Sequence, residues 1–171
     1  MLKNLLILFL SIFLLFSCSK KNNQKVISEP TEEEIATKIY IEAVEALKEG
    51  DAFYAGKKFK EVEILMPQGE WASKASLMAS YSDYSRNAYT NAIFNLERHI
   101  RIYPADKNIP YAHYLIAMCY YEQILDEKKD LGPLIKAKEK FEFIISTYPD
   151  TDYGTDARYK MELIIDQLAA K

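Results

Sequence analysis

The sequence holds few residues whose type and spacing could support catalysis. Its two histidines, His99 and His113, each lack a Cys, His or Asp partner at the spacing that a metal site or a general base needs. A glycine-rich phosphate loop and a Gly-x-Ser-x-Gly nucleophile elbow are both absent from the sequence. Cys119 stands in the apolar run Ala117-Met118-Cys119-Tyr120-Tyr121, which favours a small core residue over a reactive thiol. We therefore expect no enzyme, no metal site and no bound cofactor.

Cys18 is the cysteine for which the sequence predicts a modification. A basic start and the mostly apolar run 5–16 form a signal peptide, because a bilayer span needs about 20 apolar residues. The ending Leu15-Phe16-Ser17-Cys18 resembles the lipobox of bacterial lipoproteins. That resemblance implies removal of residues 1–17 and attachment of an S-diacylglycerol and an N-acyl chain to Cys18. The alternative is an ordinary secretory signal with an incidental cysteine.

The segments after the signal peptide divide into a tether and a folded domain. Ser19, rather than Asp, follows Cys18, which by analogy with the lipoprotein sorting rule implies anchoring in the outer membrane, on its periplasmic face. Residues 18–34 are polar and predict a lipidated flexible tether, with Thr31 as a helix N-cap and Glu34 as its capping-box partner. Residues 35–171 form the predicted domain.

Composition narrows the class of that domain. Lys and Arg number 22 against 25 Asp and Glu, for a net charge of −3, so a basic surface for nucleic acid is not expected. Only 5 Gly and 6 Pro occur, which favours long helices. The 13 tyrosines are the abundant side chains suited to binding, since each combines a large apolar ring with a hydrogen-bonding tip.

A repeated pattern predicts the helices that carry these tyrosines. Three segments place a large apolar residue four positions after an alanine and a proline twelve positions after it: Ala55–Phe59–Pro67, Ala92–Leu96–Pro104 and Ala137–Phe141–Pro149. The proline ends each helix, and a second helical stretch precedes each segment. The layout resembles the tetratricopeptide repeat of 34 residues. It predicts an all-α, tetratricopeptide-like α-solenoid with three helix-turn-helix repeats and a further C-terminal helix.

The register of the repeats is supported by residues that did not set it. Small residues fall at the first-helix contact position and eight residues after each proline: Ala43, Ser80 and Ala117, then Ala75, Ala112 and Ala157. The predicted repeats span about 36–69, 73–106 and 110–151, and the additional helix spans 155–170. The second-helix alanines are 37 and 45 residues apart, more than the 34 residues of one repeat. A longer loop at 68–71 accounts for the first excess. A longer loop at the same position of the next repeat, together with a polar insertion around 126–133, accounts for the second.

The register also predicts a shared surface for six tyrosines. Positions 2, 5, 9 and 12 of the first helix in each repeat lie on one helix face, which lines the concave groove of tetratricopeptide arrays. In this sequence they hold Tyr40, Tyr81, Tyr84, Tyr111, Tyr114 and Tyr121, and Tyr159 of the fourth helix would join them. The groove suits a peptide ligand. The alternative is that these rings only pack between neighbouring helices or against the tether.

Several stretches resemble one known family. Together with the lipobox and the tether, the segments Tyr84–Pro104, Asn108–Ala112 and Tyr148–Ala157 resemble the BamD family, lipoproteins of the outer-membrane β-barrel assembly machinery. The resemblance implies a non-catalytic scaffold that helps to recognise unfolded β-barrel clients and holds a BamA-like subunit beside other lipoproteins of the machinery. Family members carry more repeats, so we expect that this array has been shortened. Docking of the BamA-like subunit is therefore less strongly implied than client recognition. The alternative is another periplasmic repeat lipoprotein, one that organises cell-wall enzymes.

Overall fold

The chain folds into antiparallel helices. The computed structural model describes residues 29–126 and 131–169, and every regular element within those ranges is a helix. The seven helices are α1 (Glu32–Lys48), α2 (Ala52–Leu65), α3 (Glu70–Ser85), α4 (Tyr89–Ile102), α5 (Ile109–Asp126), α6 (Gly132–Thr147) and α7 (Asp152–Ala169). Each helix packs on the next, which confirms the predicted all-α class. None of the described helices is long and apolar enough to cross a membrane.

The sequence at the helix starts explains their positions. The Glu34 backbone N–H donates to the Thr31 hydroxyl at 3.2 Å, and the Thr31 N–H donates to the Glu34 carboxylate at 2.8 Å. This reciprocal pair confirms the predicted capping box and begins α1 at Glu32, inside the segment predicted as tether. Asp51 caps α2 in the same way, accepting from the Tyr54 N–H at 2.9 Å.

The repeat prolines explain where the second helices end. Helices α2, α4 and α6 end at Leu65, Ile102 and Thr147, each two residues before its proline. The residue before a proline is kept out of the helical region, and proline itself has no N–H to donate. The additional helix, α7, begins at Asp152 rather than at residue 155, and Gly132 and Pro133 of the predicted insertion form the first turn of α6. Residues 127–130 of that insertion lie outside the described residues.

Small residues hold the helix pairs together. All the small positions named by the repeat register are fully buried: Ala43, Ala55, Ala75, Ser80, Ala92, Ala112, Ala117, Ala137 and Ala157. The large residue four positions after each second-helix alanine is fully buried too, as Phe59, Leu96 and Phe141. Close backbone approach at the alanines lets each large side chain fill the space between paired helices. The predicted register is therefore confirmed.

Polar bonds join the first repeat to the second. Arg98 of α4 donates two hydrogen bonds to Glu63 of α2, at 2.8 and 3.2 Å. The Tyr103 hydroxyl donates to the same carboxylate at 3.0 Å. A planar guanidinium that donates two hydrogen bonds to a planar carboxylate fixes the relative orientation of the two side chains as well as the distance between them. Further along, α3 contacts α5 and α5 contacts α7, so the first helices of successive repeats lie side by side.

One buried histidine lies at the junction of these repeats. His99 is fully buried, and its Nε2 atom lies 3.8 Å from Asp106 Oδ2, too far for a direct hydrogen bond. Neither ring nitrogen has a hydrogen-bond partner among the described residues. Burial lowers the pKa of His99 below its ordinary 6.5, against the opposing attraction of the Asp106 carboxylate. The His99 ring is therefore uncharged in the folded protein at neutral pH.

The lowered pKa predicts a pH-dependent stability. Between the folded pKa of His99 and the ordinary 6.5, the unfolded chain binds more protons than the folded chain, so the free energy of unfolding falls as the pH drops below 6.5. The slope is at most about 1.4 kcal/mol per pH unit for each such histidine. Urea unfolding between about pH 8 and 5.5 measures this decline across the ordinary histidine range. His99→Gln should reduce it.

His113 provides the comparison for that experiment. Its pKa is also lowered, by burial and then by the charge of Lys140, so His113→Gln should remove a further part of the decline. The double variant should show a nearly flat dependence over the same range. A decline that persists unchanged in the double variant would contradict the assignment to buried histidines.

Candidate peptide-binding groove

The structure places all six predicted tyrosines on the first helices of the repeats. We call Tyr40 of α1, Tyr81 and Tyr84 of α3, and Tyr111, Tyr114 and Tyr121 of α5 the tyrosine face. Each of these side chains is half-buried. One part of every ring therefore packs against the protein while another part remains open to solvent. Packing and binding are thus compatible uses of the same side chains.

Four members of the tyrosine face lie together at its centre. The Tyr81 and Tyr84 ring centroids are 6.1 Å apart, within the range of favourable aromatic pairs. Tyr111 of α5 packs against the same buried cluster as Tyr81 and Tyr84, and Tyr114 lies near enough to Tyr84 and Tyr111 for their charges to raise its pKa. We call Tyr81, Tyr84, Tyr111 and Tyr114 the central cluster.

Burial raises the pKa of three tyrosines of the central cluster. It raises the pKa of Tyr84 to about 12, with a smaller contribution from the nearby Glu122 carboxylate. Burial also raises the pKa of Tyr111 and of Tyr114 well above the ordinary value of 10. These three hydroxyls stay protonated at neutral pH, so each can donate one hydrogen bond, to the protein or to a ligand, and accept one. The cluster offers uncharged, amphipathic contacts to a ligand.

Helix α7 fixes one side of the cluster. The Tyr114 hydroxyl donates to Asp156 Oδ2 at 2.5 Å, which sets the direction of its ring. Tyr153 packs on both α5 tyrosines, with centroid distances of 5.5 Å to Tyr111 and 5.3 Å to Tyr114. These contacts hold the α5 rings in place before any ligand binds, which reduces the entropy lost on binding.

The other two members lie apart from the central cluster. Tyr40 packs edge-on against Phe59 at 5.1 Å and against Trp71 at 5.4 Å. Tyr121 packs edge-on against Phe141 at 6.2 Å and lies under the Lys160 ammonium, 5.0 Å from the ring centroid. The structure therefore divides the six predicted tyrosines into a central group of four and two outlying contacts.

Two residues that hold the cluster were not singled out from the sequence. Asp156 occupies position 2 of the fourth helix in the same register as Tyr111, so the register contained the signal for it. Tyr153 lies in the first turn of α7, outside the four counted positions, and only the helix packing reveals its role. Tyr159, expected to join the face, is 58% exposed, so most of its side chain lies in solvent.

The described residues show the environment of Cys119 and of the potential metal ligands. Cys119 is fully buried, and burial raises the pKa of its thiol to about 12, as expected for a core residue. No group of three or more His, Cys, Asp or Glu residues within 29–126 and 131–169 could hold a metal ion. The predicted signal peptide, Cys18 and most of the tether lie outside the described residues, so lipidation remains a prediction.

Comparison with known structures supports the fold. The C-terminal TPR-containing domain of a Plasmodium falciparum protein matches with a TM-score of 0.55, covering 83% of this chain and 95% of that domain. The two sequences are 21% identical, so the likeness concerns the fold alone.

Comparison with known sequences is more specific. The outer membrane protein assembly factor BamD of Caulobacter vibrioides is 38% identical over 133 residues, which cover 78% of this chain and 44% of the relative. The factor of the same name from Rickettsia prowazekii is 32% identical over 154 residues, covering 90% of this chain and 59% of the relative. The chain thus spans about half the length of these relatives. A family model described as "YfiO: Outer membrane lipoprotein" matches residues 32–171. The chain therefore belongs to the YfiO family of outer membrane lipoproteins.

Proposed function

We propose that the chain is a non-catalytic scaffold for the assembly of outer-membrane β-barrel proteins. Its relatives carry the name outer membrane protein assembly factor, and the tyrosine face supplies a surface suited to polypeptide ligands. The relatives' name favours this role over the organisation of cell-wall enzymes. On this proposal the clients are unfolded β-barrel proteins, and the stable partners are a BamA-like barrel subunit and other lipoproteins of the machinery.

The proposal includes the membrane anchor. Cys18 carries the diacylglycerol and N-acyl chains, and the lipid holds the domain on the periplasmic side of the outer membrane. Several acyl chains exceed the two signals that stable anchoring requires. The outer-membrane description of the family supports this part of the proposal.

The central cluster carries the client-binding part of the proposal. Four half-buried rings on two adjacent helices offer apolar area with protonated hydroxyls at its edge. An amphipathic strand rich in aromatic residues presents matching rings on one face and free backbone groups along its length. Aromatic anchors held in place by Asp156 and Tyr153 are the type of residue that dominates binding energy in protein interfaces.

The first test measures peptide binding directly. A dye-labelled peptide ending in an aromatic, amphipathic strand should bind in a saturable manner, measured by the fluorescence anisotropy of the dye. Replacing both Tyr81 and Tyr114 by Ala should weaken binding about 30-fold or more, because aromatic anchors contribute roughly 1–2 kcal/mol or more each. Circular dichroism of the same variants checks that the helices remain folded.

A matched substitution makes this test specific. Phe94 on α4 is 65% exposed and lies outside the tyrosine face, so Phe94→Ala should leave peptide affinity unchanged. Equal losses in the tyrosine and Phe94 variants would point to non-specific binding. Absence of any saturable signal with the unmodified chain would remove the groove from the proposal.

The second test concerns the stable partners. The full chain, isolated from membranes in mild detergent, should co-purify with a large β-barrel subunit and further lipoproteins. Recovery of cell-wall hydrolases without any β-barrel protein would overturn the assembly role and favour the alternative scaffold. This outcome is independent of peptide binding, because it depends on whichever surface holds the partner.

A further inference from the structure

The outer surface of the first two repeats exposes large apolar side chains. Phe53 and Ile64 of α2 are 57% and 78% exposed, and Phe94 and Ile102 of α4 are 65% and 48% exposed. A groove of ≈ 610 Å³ runs between the two helices, with Ile64, Phe94 and Ile102 among its lining residues. We call these four apolar residues the outer patch. Exposed aromatic and branched side chains gathered on neighbouring helices mark an interaction surface.

Cations alternate with the apolar residues of the outer patch. On α2 the order Phe53, Lys57, Lys60, Ile64 follows the i, i+4, i+7, i+11 spacing of one helix face. The Lys57 ammonium lies 4.4 Å from the Phe53 ring centroid, and the Lys60 side chain is 51% exposed with its ammonium 3.8 Å from the Asp83 carboxylate. On α4 the exposed Arg101 follows Phe94 by seven residues, which places it on the same face.

The nearby acidic groups offset these cations only in part. Glu61 is paired with Lys58 at 3.2 Å, Glu63 is paired with Arg98, and Asp83 is shared between Arg86 at 2.8 Å and Lys60 at 3.8 Å. Glu97 is the exposed carboxylate that remains on α4. The surface around the outer patch is therefore slightly basic, although the chain as a whole carries a net charge of −3.

The polar groups in the groove are already satisfied. Glu63, Arg98 and Tyr103 bond to one another, and the Asn95 amide donates to Asp83 at 2.8 Å. A bound peptide backbone would find few unpaired donors or acceptors there. Apolar side chains flanked by Lys and Arg on a surface without free hydrogen-bonding groups fit the interface of an anionic bilayer better.

The tether brings such a bilayer within reach. Ten residues, 19–28, separate Cys18 from Glu29, where the described chain begins. The eleven steps from Cys18 to Glu29 span at most about 40 Å when fully extended. A lipid on Cys18 would hold the outer patch at high effective concentration beside the membrane, so even a weak contact would be populated.

We propose that the outer patch rests on the anionic lipid surface in which the chain is anchored, with Ile64 and Phe94 entering the headgroup region. This inference depends on the anchoring part of the proposed function. It leaves the tyrosine face of α3 and α5 available to clients, because the patch belongs to the second helices α2 and α4. The domain then has a fixed orientation relative to the bilayer.

The test uses the lipidated full chain in vesicles of phosphatidylethanolamine and phosphatidylglycerol. Nitroxide labels on Ile64→Cys and Phe94→Cys should become more accessible to oxygen than to an aqueous nickel complex. A label on Tyr159→Cys, at a residue 58% exposed on α7, is the control and should stay water-accessible. The buried Cys119 does not compete for the label.

Charge variants provide the second measurement. Lys57→Gln with Arg101→Gln should reduce the equilibrium constant for membrane contact about 25-fold, since each basic residue near an anionic surface contributes roughly a factor of five. Vesicles of phosphatidylcholine alone should give the same reduced contact with the unmodified residues. Water-accessible labels at both positions on anionic vesicles would overturn the inference, as would protection of those labels by a protein partner instead of lipid.

Failure of the anchor can be separated from failure of the patch. Mass spectrometry of the purified chain reports the acyl groups on Cys18 independently of the labels. A chain without acyl groups would contradict the proposed anchoring. A lipidated chain with water-exposed labels at Ile64 and Phe94 would contradict only the contact proposed here.

Discussion

Close approach of paired helices is the constraint on which the rest of the structure depends. In the first repeat the fully buried Ala43 of α1 and Ala55 of α2 share one cluster with Phe59, as Ala117 and Ala137 share one with Phe141 in the third. A larger side chain at either position would push the helices apart and expose Phe59 beside them. Because the same contact recurs in every repeat, the first helices line up and present equivalent positions to solvent.

The tyrosine face is a consequence of that alignment. Tyr81 and Tyr84, at positions 9 and 12 of α3, come to lie beside Tyr111 and Tyr114, at positions 2 and 5 of α5, because these positions lie on the same face of the two neighbouring helices. Their half-buried state means that the rings contribute to the stability of the array and remain open to a ligand. The hydrogen bond from Tyr114 to Asp156 also fixes the direction of the Tyr114 ring, which apolar packing alone would not do.

Much of this fold could be predicted from the sequence because each helix boundary and repeat position is set by residues that lie close together in the chain. Alanine and proline spacing set the helices and the repeat register, and the Thr31 capping box set the first helix start. The packing of Tyr153 on Tyr114 could not be predicted, since it depends on the angle between α5 and α7. The full burial of His99 could not be predicted for a similar reason, since it depends on the loop after α4, which places Asp106 3.8 Å from the ring. Cys18, the strongest chemical prediction, lies outside the described residues.

The central claim is that unfolded β-barrel clients bind the tyrosine face. The most direct measurement is photo-crosslinking in living cells, with a photoreactive phenylalanine placed at Tyr84 and, separately, at Phe94. The account predicts adducts with outer-membrane β-barrel precursors from Tyr84, in the central cluster, and none from Phe94. Equal client adducts from both positions, or no client adduct from Tyr84, would contradict it.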